Sequence, residues 1–184
     1  MIKNVVICAH FDDEVIGCSS LLNEETMIIL VCSNDPRKSI FEDLMKKYNF
    51  SAMYLNYTPF SLDFNKSAFF NKKISDILEK YPNTEVYTHS NDLHIDHRIV
   101  NEAVKIATRP SRTNFKALYE FEVDNFTNFS NYFKKCEDKV QKLDFYKDFI
   151  NENHKNYILS YNNFLGHQNN INSYTEGFKV VYKK

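Results

Sequence analysis

The sequence predicts an α/β fold in which a mostly parallel β-sheet is sandwiched between helices. Short apolar runs rich in β-branched residues alternate with longer segments whose apolar residues recur at helical spacing. Strands that are buried on both faces of a parallel sheet are continuously apolar, as most of these runs are. The chain has 184 residues, 43% of them hydrophobic and 26% charged, so we expect one domain over residues 1–184.

Each element is predicted from its own pattern and from the signal that starts or ends it. Apolar or alternating runs predict strands at residues 2–9, 26–33, 52–57, 85–90, 115–123 and 178–182. Apolar residues at helical spacing predict helices at residues 14–23, 37–48, 66–81, 96–108 and 137–151. Pro82 and Pro110 are predicted to end the third and fourth helices, because proline cannot continue a helix. Residues 153–173 are polar and are predicted to be rich in loops.

Composition excludes several classes of function. The formal net charge is −1, so the chain lacks the basic character of nucleic-acid or membrane-surface binders. No apolar stretch approaches the about 18 residues of a transmembrane helix, and the apolar start is too short for a signal peptide, so we predict a cytoplasmic protein. Its three glycines form no phosphate-binding fingerprint. Four cysteines without CxxC spacing argue against a zinc knuckle and against a disulfide framework.

Two clusters of polar residues follow predicted strands. Ala9-His10-Phe11-Asp12-Asp13-Glu14 comes directly after the first strand, and His94-Ile95-Asp96-His97 follows the fourth. Because the carboxyl ends of parallel strands meet at one edge of a sheet, we expect the two clusters to lie together. Two imidazoles and a carboxylate can hold a catalytic metal ion that keeps an open coordination position. The sequence therefore predicts a metal-assisted hydrolase.

The chemistry of each side chain suggests its role. The predicted metal ligands are His10, Asp13 and His97. A metal held by such a set lowers the pKa of a bound water to about 7. Asp12 could take up the proton of that water, and His94 could stabilise an oxyanion and protonate a leaving amine. Asp96 could bond to a ring nitrogen of a histidine and so fix its tautomer.

Simpler interpretations exist for these and for other polar residues. Either cluster alone could be a helix start with favourable charge, but their joint placement after two buried strands favours a site. Arg37 begins a helix at the same edge and is predicted to bind a substrate hydroxyl or phosphate. His89, at the end of a strand, is interpreted as a structural hydrogen-bonding residue. His154 and His167 are interpreted as surface residues.

At the two clusters the sequence resembles the PIG-L / LmbE-like deacetylase family. The family motif AHPDDE, with a glycine three residues on, stands here as AHFDDE with Gly17, and the motif HxDH stands as HIDH. Agreement is weaker at three other places, which are Tyr119-Glu120, the segment around Lys139 and Tyr146, and Thr175-Glu176-Gly177-Phe178. Phe11 replaces the motif proline and could line the pocket. Cys18-Ser19-Ser20 stands where the family has Gly-Gly.

This resemblance implies a Rossmann-like, LmbE-like fold and a zinc-dependent hydrolase. Such enzymes remove the N-acetyl group from N-acetylglucosamine-type sugars or glycoconjugates, here by means of zinc-bound water. The implied zinc ligands are His10, Asp13 and His97. The other implied roles are general base for Asp12, acid or oxyanion group for His94, support of the site histidines for Asp96, and substrate contact for Arg37.

Several alternatives stay open at this point. Ferrous iron suits a set of two histidines and one carboxylate as well as zinc does. The substrate could instead carry another N-acyl or an N-formyl amide, and the chain could be a non-catalytic metal- or sugar-binding module. The expected partner is a small-molecule amino sugar or glycoconjugate, with no nucleic acid and no membrane span. Neither the particular sugar nor the oligomeric state follows from the sequence.

Overall fold

A seven-stranded sheet organises the described part of the chain, which in this computed structural model comprises residues 1–62, 67–109, 114–124, 126 and 130–184. The strands are β1 (Asn4–Cys8), β2 (Thr26–Leu30), β3 (Ser51–Tyr54), β4 (Glu85–His89), β5 (Ala117–Phe121), β6 (Tyr132–Lys135) and β7 (Thr175–Lys183). Their order across the sheet is β3-β2-β1-β4-β5-β7-β6. All neighbours from β3 to β5 are parallel, whereas β7 is antiparallel to β5 and to β6. The predicted α/β fold with a mostly parallel sheet is confirmed.

Helices cover both faces of this sheet. They are α1 (Asp13–Gly17), α2 (Lys38–Tyr48), α3 (Ser67–Leu78), α4 (Ile95–Ala107), α5 (Lys139–Leu143) and α6 (Glu152–Gln168). Val6 and Cys8 of β1 pack in one buried cluster with residues of α2, α5 and α6, while Val5 and Ile7 pack in a second cluster with residues of α3 and α4. Alternate residues of β1 enter different clusters because successive side chains of a strand point to opposite faces. None of the described helices has the length and apolar character needed to cross a membrane.

The prediction of loops at residues 153–173 was wrong, because α6 occupies most of that segment as a helix of 17 residues. Its buried residues include only two large apolar side chains, Ile158 and Leu165, so it shows little apolar periodicity in the sequence. Asn151 caps this helix, since its side-chain oxygen accepts a hydrogen bond from the backbone N–H of His154. Tertiary packing on the sheet therefore supports a helix whose sequence pattern is weak.

Two predicted helices are shorter than expected, and one strand was not predicted. The helix predicted at 14–23 ends at Gly17, and a 3₁₀ turn at Ser19–Leu21 follows it. The helix predicted at 137–151 is reduced to α5 and a second 3₁₀ turn. Strand β6 lies in a segment for which no strand was predicted. The predicted helix start at Lys66 and the predicted stop at Pro110 lie outside the described residues.

A buried ion pair holds the end of α1 in place. The ammonium of Lys139, which is fully buried, donates to the carbonyl oxygens of Val15 (2.8 Å) and Ile16 (2.6 Å) and to the carboxylate of Glu176 (2.5 Å). The same carboxylate accepts hydrogen bonds from the backbone N–H groups of Ser19 and Ser20, both at 2.8 Å. A cation at the carbonyl end of a helix is favourable and satisfies groups that the helix leaves free. Ser19 and Ser20 are thus anchored after α1 by side chains from α5 and β7.

Phe11 lies in the core, so the expectation that it lines the pocket was wrong. Its ring is fully buried and packs against Phe41 and Tyr54, with centroid distances of 5.3 and 6.4 Å. Gly17 is also required by packing, because a Cβ atom there would lie 2.5 Å from Cδ2 of Phe121. The motif after β1 therefore contains packing residues as well as polar ones.

Candidate metal centre

Side chains that follow β1 and β4 converge at the carboxyl edge of the sheet. The two strands are parallel neighbours, with Val5 paired to Val86, so their ends lie side by side. The Nδ1 atom of His10 is 3.2 Å from Nε2 of His97. The Oδ1 atom of Asp13 lies 3.6 Å from that Nε2 atom, and its Oδ2 atom lies 3.9 Å from Nδ1 of His10. Ligand atoms around a tetrahedral zinc ion are about 3.3 Å apart at ordinary bond lengths, so these three side chains fit such an ion.

A carboxylate fixes the orientation of each histidine. Nδ1 of His97 lies 2.7 Å from Oδ2 of Asp92, and Nε2 of His10 lies 2.9 Å from Oδ2 of Asp96. An ionised carboxylate only accepts hydrogen bonds, so these two nitrogens carry the protons. The lone pairs of the other two nitrogens then face each other across 3.2 Å. Two lone pairs at this distance repel unless a cation or a proton lies between them, which is the arrangement that supports a metal site.

The electrostatics of the centre favour positive charge at the same point. Burial lowers the pKa of His97, but the negative charges of Asp13 and Asp92 outweigh it and raise this pKa to about 9. Burial by itself would raise the pKa of Asp13, but the larger combined effect of His97 and His89 lowers this pKa to well below its ordinary value. Asp13 is therefore ionised, as a metal ligand must be. A metal ion would replace the proton that His97 otherwise retains.

Two further histidines lie close enough to take part in ligation. His94 has a ring nitrogen within 4.8 Å of ring nitrogens of His10 and His97. His89 has a ring nitrogen within 4.8 Å of a carboxylate oxygen of Asp13 and of a ring nitrogen of His97. His89 is fully buried and accepts a hydrogen bond from the N–H of Ala9 (2.9 Å), which agrees with its interpretation as a structural residue. Burial and the neighbouring His97 lower its pKa to about 4, so it is neutral.

Asp12 adopts a left-handed backbone conformation, with φ 90°. Its N–H donates to Oε2 of Glu14 (3.1 Å), and the buried Glu14 in turn accepts a hydrogen bond from the hydroxyl of Tyr146 (2.7 Å). Strain of this kind persists where surrounding groups hold it, and here Glu14 and Tyr146 do so. Burial and the charge of Asp13 raise the pKa of Asp12 to about 7, against the lowering effect of Arg37.

Arg37 lies in the cleft, but the hydrogen bonds of its guanidinium are made within the protein. Nη1 donates to Oδ2 of Asp12 (2.6 Å), while Nε and Nη2 donate to the two oxygens of Asp35 (2.9 and 2.8 Å). This arrangement places Arg37 beside the candidate base. The predicted contact of Arg37 with substrate stays a prediction.

His94 is oriented by the start of α4. Its Nδ1 atom accepts a hydrogen bond from the N–H of Asp96 (3.2 Å), so in the neutral ring Nε2 carries the proton. Burial and the nearby His97 and His10 lower the pKa of His94, which favours this neutral form. Its ring centroid is 4.6 Å from those of both His10 and His97. A neutral imidazole with a free N–H is suited to stabilise an oxyanion.

Six of the seven predicted site residues line one cleft of about 240 Å³, and Asp96 lies behind it. The six are His10, Asp12, Asp13, Arg37, His94 and His97. Among the residues that sequence reasoning missed or placed elsewhere are Phe60, Asp124 and His154, the last of which was interpreted as a surface residue. Asp124 follows the end of β5, so the rule about strand ends would have found it. Asp92 gave a weaker signal, since it stands just before the HIDH motif.

Replacing Asp92 with asparagine should weaken metal binding about 10–100-fold, because the buried carboxylate that orients His97 and increases its basicity is lost. Affinity would be measured by competition with a chromophoric chelator, alongside thermal unfolding. The matched control is Asp76→Asn, since Asp76 is an exposed residue of α3 paired with Lys72. Unchanged affinity in Asp92→Asn with a normal fold would contradict the arrangement described above.

Comparison with known proteins shows a shared fold. No family model and no curated protein matches the chain. The conserved protein TT1542 from Thermus thermophilus is similar, with 15% identity, TM-score 0.79, and coverage of 100% of this chain and 96% of that chain. A deacetylase of the teicoplanin biosynthetic pathway is 13% identical, with TM-score 0.74 and coverage of 99% and 98%. GalB, the 4-carboxy-2-hydroxymuconate hydratase from Pseudomonas putida KT2440, is 14% identical, with TM-score 0.68 and coverage of 100% and 98%.

Two of these similar proteins are named for different reactions. One is named a deacetylase and another a hydratase. Since a fold hosts more than one chemistry, the reaction of this protein has to be argued from its own site.

Proposed function

We propose that the protein is a metal-dependent amide hydrolase that removes the N-acetyl group from an N-acetylglucosamine-type sugar or glycoconjugate. The supporting observation is the pair of ring nitrogens of His10 and His97 that face each other at 3.2 Å beside the carboxylate of Asp13. Each of these histidines is backed by its own carboxylate. The fold shared with a deacetylase and the two sequence motifs agree with this proposal. Zinc is the proposed ion, and ferrous iron is the alternative.

The residues that line the cleft have different proposed roles in hydrolysis. A divalent ion held by His10, Asp13 and His97 would polarise the amide carbonyl and lower the pKa of a water molecule. Asp12 takes the proton that this water loses as it attacks the carbonyl carbon. Its ion pair with Arg37 supports the carboxylate form that a base requires.

His94 then assists the collapse to products. Its Nε2–H donates to the oxyanion that develops on the substrate carbonyl oxygen. When the carbon–nitrogen bond breaks, the leaving nitrogen must gain a proton, and the proton collected by Asp12 is returned to it directly or through His94. The immediate products are acetic acid and a free amine, the acid then gives its proton to the amine or to solvent to become acetate, and Asp12 returns to its starting state.

The proposal is tested by metal analysis followed by a panel of substrates. The purified protein would be stripped with a chelator, reloaded with zinc or ferrous iron, and assayed for amine and acetate release. The panel includes N-acetylglucosamine, its nucleotide-linked form, N-formylglucosamine and an acyclic N-acetyl amine, with an unsaturated dicarboxylate as the hydratase arm. We expect metal-dependent amine release from the N-acetyl sugars. Hydration of the unsaturated acid without any amide cleavage would overturn the proposal.

The pH dependence of kcat/KM should show an acid limb. Protonated Asp12 cannot act as a base, so activity falls as the pH drops below its pKa, which is about 7. A bound divalent cation lowers this pKa, so we expect the midpoint at or below pH 7 in the loaded enzyme. Arg37→Gln should move the midpoint upward, because the cation that lowers the pKa of Asp12 is removed. The profile would be measured over roughly pH 5 to 9, and a flat profile would contradict the assignment of the base.

A further inference from the structure

An exposed phenylalanine stands at the mouth of the cleft. Phe60 lines the cleft with 74% of its surface exposed. Its ring centroid lies 4.9 Å from that of His94, with 33° between the ring planes. Leaving an aromatic ring in water forfeits the free energy that its burial would supply. Phe11, which stands between His10 and Asp12 in the chain, is by contrast fully buried.

The backbone of Phe60 is in a conformation that suits glycine. The N–H of Ser61 donates to the carbonyl oxygen of Thr58 (3.0 Å), which closes a turn with Pro59 in its second position and Phe60 in its third. Phe60 has φ 60°, as the third position of a type II turn requires, and that position favours glycine. A bulky residue at positive φ is a strained exception. The free protein therefore gains neither burial nor relaxed backbone geometry from this side chain.

The turn is tied directly to the metal centre. The N–H of Phe60 donates to Oδ2 of Asp96 (2.8 Å). The same oxygen lies 2.9 Å from Nε2 of His10, one of the proposed ligands. Asp96 thus connects the backbone of Phe60 to a proposed metal ligand. Exposed apolar surface and backbone strain that coincide at a cleft are typical of ligand contact.

The polar residues that line the cleft restrict the class of ligand that it can bind. Arg37, Asp12, Asp124 and His154 add charged or polar groups to a lining that also contains Ile16, Pro59 and Val123. A hydrocarbon chain would remove water from such groups without offering them hydrogen bonds in return, which is costly. A pyranose ring has an apolar C–H face and a rim of hydroxyl groups, so it matches a cleft lined by an exposed aromatic ring together with charged and polar groups. The volume of about 240 Å³ is just below the usual range for small-molecule sites and suits a single sugar residue.

Building on the proposed function, we infer that Phe60 is the platform against which the pyranose ring of the amino sugar packs, and that it selects sugar amides over acyclic ones. The contact between its ring and His94 brings the packed sugar next to the proposed oxyanion group. The backbone strain at Phe60 is maintained because the phenyl ring is needed for sugar binding, whereas glycine would suit the turn better.

The test compares two substrates in the zinc-loaded full-length protein. Phe60→Gly keeps the N–H that bonds to Asp96 and relieves the strain at positive φ. We expect its kcat/KM for N-acetylglucosamine to fall about tenfold, mainly through KM, while that for acyclic N-acetylethanolamine is unchanged. Phe60→Tyr should retain activity on the sugar. The Tm of Phe60→Gly should not decrease. The matched control is Phe69→Gly in α3, where Phe69 is 73% exposed and is not among the described residues that line the cleft.

Each outcome has a distinct meaning. An equal loss for the two substrates would overturn the inference, because Phe60 would then act only by supporting Asp96. Wild-type cleavage of the acyclic amide without preference for the sugar would also overturn it, while leaving amide hydrolysis intact. If the wild-type protein cleaves neither substrate, the result contradicts the proposed function and the inference about Phe60 needs a separate test. Saturation-transfer NMR with N-acetylglucosamine would then test the platform by itself, and equal sugar binding by wild type and Phe60→Gly would overturn the inference.

Discussion

Replacing Asp12 with asparagine should reduce acetate release by about 10²–10⁴-fold, which is the usual contribution of a general base. An amide cannot accept the proton that the attacking water loses. Asparagine is nearly the same size as aspartate and tolerates positive φ better than most residues, so the backbone at φ 90° is expected to persist. The N–H that bonds to Glu14 also remains. The loss should therefore reflect the chemistry of one carboxylate.

Metal content and activity would be measured on the same preparation. Asp12 is not among the three proposed ligands, so Asp12→Asn should bind zinc as the wild type does. Asp43→Asn is the matched control, because Asp43 is an exposed residue of α2 that pairs with Lys46. Near-normal acetate release by Asp12→Asn would show that another group serves as the base. Loss of zinc in this variant would instead move Asp12 into the ligand set.

Replacing His97 with alanine should abolish both metal binding and activity. Its Nε2 atom lies close to both of the other proposed ligands, at 3.2 Å from Nδ1 of His10 and 3.6 Å from Oδ1 of Asp13. Removal of a ligand should cost more than the about 10–100-fold in affinity that loss of a supporting carboxylate costs. Zinc content measured by mass spectrometry should fall to background after dialysis, and acetate release should fall with it.

The alanine variant also removes a buried ring, so folding needs a separate check. His97 stacks on His89 with a centroid distance of 3.9 Å, and its loss leaves the Oδ2 atom of Asp92 without the ring nitrogen that it bonds to. His97→Gln keeps a polar side chain near Asp92 and should retain the fold while still losing zinc. His167→Ala, at an exposed position of α6, serves as the control for removal of a histidine. Full zinc content in a folded His97→Gln protein would refute the proposed centre.

The parallel part of the fold could be predicted because its signals are local. Strands β1 and β2 are short and almost entirely apolar runs, and burial on both faces produces that pattern without regard to neighbours, while β4 and β5 show shorter stretches of apolar and aromatic residues. The C-terminal part could not be predicted in this way. Helix α6 buries Ile158 and Leu165 but shows little periodicity, and β6 obtains its hydrogen-bonding partner from β7, some forty residues later.

In the candidate site, too, some features could be predicted from local sequence and others depend on tertiary packing. His10, Asp13 and His97 could be named from two motifs and from the rule that parallel strands end at a common edge. Arg37 was placed in the cleft, but its bond to Asp12 could not be foreseen, because it joins residues 25 positions apart and depends on how α2 packs. Phe60 carries no local signal, since only its φ angle and its hydrogen bond to Asp96 distinguish it from any exposed aromatic residue.

The sequence by itself determined which residue types stand at the ends of which strands, and hence the class of chemistry that this edge of the sheet can support. The tertiary structure alone decided how those groups are oriented and charged. Ring tautomers, the pKa of Asp12 and the strain at Phe60 all depend on distances between residues far apart in the chain. Electrostatic and hydrogen-bond energies change steeply over an ångström, whereas motif spacing specifies only neighbours along the backbone.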